Sequence, residues 1–94
     1  MKTAYELAME RLNQAAPASR LTPAQKKQLA ELDTKYAATI AGREIALKDE
    51  MARVAAAGET EKAEVLRQQL TRERKSLQAE LEEKKERVRQ AAAN

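Results

Sequence analysis

From Leu29 onward, large apolar residues return every eleven positions. Leu29, Ile40 and Met51 form one series, with Tyr36 and Leu47 a second; Leu66, Leu77 and Val88 form a third, with Leu70 and Leu81 a fourth. Eleven residues over three turns is about 3.67 per turn, a helical period that favours nearly straight packing over the left-handed supercoil of heptads. The spacing predicts two long helices, one before Gly58 and one after it.

The series also mirror one another. In an antiparallel hairpin, facing positions share a constant index sum, and 117 centres the turn between Gly58 and Glu59. That register sets Val54 against Ala63, Met51 against Leu66 and Leu47 against Leu70. Further from the turn it sets Ile40 against Leu77, Tyr36 against Leu81 and Leu29 against Val88. Where the apolar ladder breaks, it breaks on both sides. Arg43 and Glu44 there lie opposite Glu73 and Arg74, and the neighbouring sums of 116 and 118 match Arg43 to Glu73 and Glu44 to Arg74 with opposite charge. A polar layer of this kind fixes register more than it adds stability.

Punctuation residues place the boundaries. Thr3-x-x-Glu6 is a capping box that opens a short helix over 3–16, with Met1, Tyr5, Ala8, Leu12 and Ala15 on one face; Pro17 ends it. After a connector at 17–22, Thr22-Pro23-Ala24-Gln25 supplies a cap, a proline at the first helical position and a second capping box. The first hairpin arm spans 23–57, the turn 58–60 and the second arm 61–92. Gly58 follows three alanines, the usual place of a left-handed C-terminal cap, and Thr60 is expected to cap the returning helix. The fold expected is all-α: one domain over 1–94, a long antiparallel, coiled-coil-like hairpin with a short N-terminal helix. Each arm is about 50 Å long and the short helix about 18 Å, enough to cover only the open end near Leu29, Leu32 and Val88. The same index sum also describes uninterrupted helices pairing across a swapped dimer; Gly58 favours the hairpin.

Composition agrees and adds a constraint. Of the 43% hydrophobic residues about half are alanine, and Tyr5 and Tyr36 are the only aromatics. Charged residues reach 35%, as in long helices and coiled coils. A seam of two helices leaves its residues partly wet, so association with a second copy or another helical protein is expected. Two surfaces suit it: the small-residue side of the first arm, with Ala38, Ala41 and Ile45, and the N-terminal helix around Tyr5, Leu7 and Met9.

The net charge of +3 is spread evenly, about +1 in each of residues 1–22, 23–57 and 58–94, so no basic or acidic tail stands out. Charges at Lys2, Glu6, Glu10 and Arg11 leave no apolar stretch for a signal peptide, and nothing approaches a membrane span. A soluble, cytoplasmic protein is expected.

Catalytic chemistry is poorly supplied. With no His and no Cys, the commonest general base, the best nucleophile and the usual transition-metal ligands are missing. No enzyme activity, cofactor or metal is expected, and Arg43, Glu44, Glu73 and Arg74 read as a register layer. Arg72, Arg74 and Lys75, and Lys84, Lys85, Arg87 and Arg89, are basic clusters on one helix. Acidic residues intersperse them, which makes nucleic acid an unfavoured partner. Leu21-Thr22-Pro23-Ala24-Gln25 resembles the Leu-Thr-x-x-Gln element of Spy/CpxP-like proteins, all-helical periplasmic chaperones and stress sensors. Over those five residues, the resemblance implies a chaperone-like binder of unfolded chains. The leading expectation is a non-enzymatic, self-associating helical-hairpin interaction module or scaffold. Chaperone-like and nucleic-acid-associated proteins are the alternatives.

Overall fold

Thr22 and Gln25 cap the first long helix as their spacing requires. The Gln25 amide donates to Thr22 Oγ1 at 3.1 Å, and the Thr22 amide donates to Gln25 Oε1 at 2.8 Å. The computed structural model describes residues 3–8 and 21–93. Residues 4–8 are helical (α1), and two helices of 34 residues follow, α2 (Pro23–Ala56) and α3 (Thr60–Ala93). The long helices pack against each other as an antiparallel hairpin. No strand occurs among the described residues. At α1 the Glu6 amide donates to Thr3 Oγ1 at 3.1 Å, half of the capping box. Met9 and the remainder of the 3–16 helix, with its proposed cover over Leu29, Leu32 and Val88, lie outside the described residues.

Reversal is achieved in three residues. Gly58 sits at φ 80°, a conformation that only glycine adopts without steric penalty. Its amide donates to Ala55 O at 3.0 Å and the Glu59 amide to Val54 O at 2.9 Å, the paired closure of a Schellman motif. The expected cap at Thr60 is displaced by one residue. Thr60 is already helical, and Glu59 O accepts the first returning bond, from the Ala63 amide at 3.1 Å. Because its amide is tied back to α2, Glu59 aims its carbonyl down α3 and takes the cap position itself.

Burial is concentrated in three side chains. Tyr36, Leu47 and Leu70 are 5%, 3% and 5% exposed. The other seam residues, from Leu29 and Ile40 to Leu81 and Val88, are half-buried. Two cylinders cover each other along one line only, so residues beside that line keep one flank in water. Among the outward-facing residues, Thr34, Thr39 and Thr71 each donate their hydroxyl to the carbonyl four residues earlier.

Gly42 has no such local explanation. It lies mid-helix and exposed, and a Cβ added there would meet nothing within 4 Å. Gly42→Ala is therefore expected to raise monomer stability by up to ~1 kcal/mol, read as a higher melting temperature by circular dichroism at dilution. An unchanged or lower value would mean that the position is strained or covered.

Candidate interaction surface

The polar layer is built from the side chains that interrupt the apolar ladder. Arg43 donates to Glu73 through two nitrogens, Nε to Oε1 at 2.8 Å and Nη2 to Oε2 at 3.1 Å, a bidentate fork. Gln69 Nε2 donates to the same carboxylate at 3.2 Å. On the other side of the seam, Arg74 Nε donates to Glu44 Oε1 at 2.6 Å. All four charged residues are half-buried and each faces its opposite. A carboxylate so held has its acceptors occupied and is poorly placed to take a proton from a substrate.

The hydrogen bond from Arg43 holds the Glu73 carboxyl below the usual carboxylate range, assisted by the Arg43 charge and Gln69 and opposed by partial burial. A group whose folded pKa is depressed contributes stability that is present above its unfolded pKa, about 4.3, and lost as pH falls through the folded value. The melting temperature is therefore expected to fall on acidification below about pH 4. In Glu73→Gln, which cannot ionise, this part of the fall should vanish. If the acid slope of that variant equals the parent's, Glu73 is not the group responsible.

Three further cross-links join the arms toward the open end. Lys85 Nζ lies 2.9 Å from Asp33 Oδ1, and Lys84 Nζ lies 5.1 Å from the centre of the Tyr36 ring. The Gln25 side chain spans the gap by donating to Val88 O at 3.2 Å. In the sequence Lys84 and Lys85 read as part of a basic cluster, Tyr36 and Val88 as seam and Gln25 as a cap, with no pairing among them. Their signal is the register itself, since Asp33 and Lys85 share the index sum of Glu44 and Arg74.

Three cations of the run 84–89 also pair along α3 itself. Lys84 pairs with Glu80 at 3.7 Å, Arg87 with Glu83 at 2.7 Å and Arg89 with Glu86 at 3.2 Å. A phosphate would compete with a carboxylate at each of these cations. No group of three or more acidic residues among those described could hold a metal ion. No described helix is long and apolar enough to cross a membrane.

Apolar surface in water lies elsewhere. Ile45 is 68% exposed on the side of α2 turned from the seam, with Ala38 and Ala41 exposed beside it. Tyr5 and Leu7 on α1 are also exposed. Val65, which the seam pattern passes over, is 58% exposed and lines a hollow near the turn with Val54, Leu66 and Glu50. Similar hollows open between Leu32 and Val88 and between Thr39 and Leu77. On α2 the lining residues Gln28, Leu32, Lys35, Thr39 and Arg43 follow at steps of three and four, so they share one flank. The hollows therefore lie along one side of the seam.

Comparison of the chain with protein-family models, with curated proteins and with solved structures finds no match.

Proposed function

We propose that this chain is a non-enzymatic helical-hairpin module for protein–protein interaction, a self-associating scaffold or spacer acting in the cytoplasm. The observation that carries the reading is where its apolar surface lies. A two-helix hairpin has no third layer, and Ile45 and its small neighbours stand in water on the outer side of α2. Tyr5 and Leu7 add apolar surface on α1. Helical partners recognise such faces through anchors at helical spacing. The polar layer supports a structural role for its four charged residues, because each is already matched across the seam.

Light scattering tests the reading. The mass should rise from 10.5 kDa toward twice that value as concentration increases from about 1 to about 500 μM, the range of modest helical affinities. A mass fixed at the monomer value throughout would end the self-association proposal. The exposed Val65 and the hollow it lines favour one second reading, a chaperone-like binder of unfolded chains. That reading requires the purified protein to slow aggregation of a denatured client, and Val65→Lys to weaken the effect.

A further inference from the structure

The outer faces of the two arms differ. On α3, the positions turned from the seam are mainly polar, Glu64, Gln68, Lys75, Glu82 and Glu86 among them, with Val65 and Ala79 the exposed apolar exceptions. On α2 the corresponding face carries Ile45 at its middle, next to the exposed Gly42 whose missing side chain serves no contact within the chain. Four charges flank that centre, Glu31 and Lys35 on one side and Asp49 and Arg53 on the other, all exposed; Glu31 and Lys35 stand toward the edge of the face, where they also line the hollow beside Leu32 and Val88. Pairs four apart on α3 close into ion pairs, as Lys84 with Glu80 and Arg87 with Glu83 do. At the same spacing Glu31 and Lys35 do not, nor do Asp49 and Arg53; none of the four is in an ion pair among the described residues.

We propose that a second copy of this chain docks on this face, α2 against α2 and antiparallel, with the two-fold axis at Gly42. The inference deepens the self-associating reading above and rests on it. About that axis Glu31 faces Arg53 of the partner subunit, and Lys35 faces Asp49 of the partner subunit. Symmetry repeats both pairs, so four opposite-charge contacts frame the centre. There the glycine and Ala38 let the helix axes come close, and Ile45 gains cover from the small residues opposite.

The charges specify direction and register together. A parallel arrangement would stack Glu31 on its own copy. Sliding the antiparallel pair by one turn toward one end sets Lys35 against Arg53 of the partner subunit. Sliding it the other way sets Glu31 against Asp49 of the partner subunit. Each slip brings like charges together, and only the register centred on Gly42 avoids both.

Sedimentation of the full 94-residue chain and two variants at low salt tests the geometry. Lys35→Glu sets like charges against Asp49 twice per dimer and should weaken dimerisation roughly tenfold. Lys35→Glu combined with Asp49→Lys restores opposite charges and should bring affinity back to within roughly threefold of the parent. Both positions are exposed, and circular dichroism should show unchanged helix content. If the parent dimerises but Lys35→Glu has no effect, or the double variant stays as weak as the single, this docking geometry is wrong while self-association stands. A parent that stays monomeric at about 1 mM removes both.

Discussion

Leu70→Ala should lower the melting temperature by about 10–30 °C, among the largest losses expected from a single truncation. Leu70 and its register partner Leu47 are among the three side chains that the hairpin buries, at 5% and 3% exposure. Truncating a buried leucine costs about 2–5 kcal/mol through lost transfer energy and the cavity left behind. In a domain of this size each kcal/mol moves the midpoint by about 4–8 °C. Small domains are only marginally stable, so the variant is expected to be substantially unfolded at physiological temperature. Val65→Ala is the control: its side chain is 58% exposed, and its effect should stay within about 0.5 kcal/mol. Thermal melts of the two variants followed by circular dichroism make the comparison. Equal losses would mean that the seam does not run through Leu70.

Gly58→Ala should change the shape of the molecule. At φ 80° a Cβ adds about 1–2 kcal/mol of steric cost to the turn. The same substitution lengthens the run Ala55-Ala56-Ala57 by one more alanine, which favours a continuous helix through the old turn. Straightened chains keep their seam by pairing antiparallel with a second copy, because the register that closes the hairpin also closes the swapped rod. Two outcomes follow together: a dimer that persists at dilution, and a longest dimension rising from 65 Å to about 105 Å. Small-angle scattering with light scattering reads both. A monomer of unchanged dimensions would show that packing of the arms holds the reversal without glycine.

The hairpin was legible because several local rules agree. The eleven-residue spacing defines one stripe on each helix, and Gly58 stands where the stripes exchange direction. Thr22, Pro23 and Gln25 mark the start of α2 through chemistry confined to four residues. Facing positions such as Tyr36 and Leu81 follow from the index sum once the turn is placed. Thr60 escaped that logic. Whether it or Glu59 caps α3 depends on which amide the Schellman closure consumes, and that is set by the path of the chain through the turn.

Side-chain choices between equivalent neighbours were not legible. Lys85 had Glu82 within reach one turn back on its own helix, yet it crosses to Asp33. Lys84 lies over the Tyr36 ring while also pairing with Glu80. Periodicity assigns a residue to a face, but a long flexible side chain at the edge of that face can turn either way. Only the actual separation of the two helices decides.

For this protein, the amino-acid sequence alone determined that there are two long helices, where they reverse and which stripes meet, because apolar period, glycine geometry and capping act within a few residues. The tertiary structure decided how deeply the seam is buried and how its charges are shared. It also decided that Val65, which the apolar pattern passes over, stays largely in water. Those properties depend on how closely two cylinders approach and how many neighbours surround each side chain, and a one-dimensional pattern contains no measure of either.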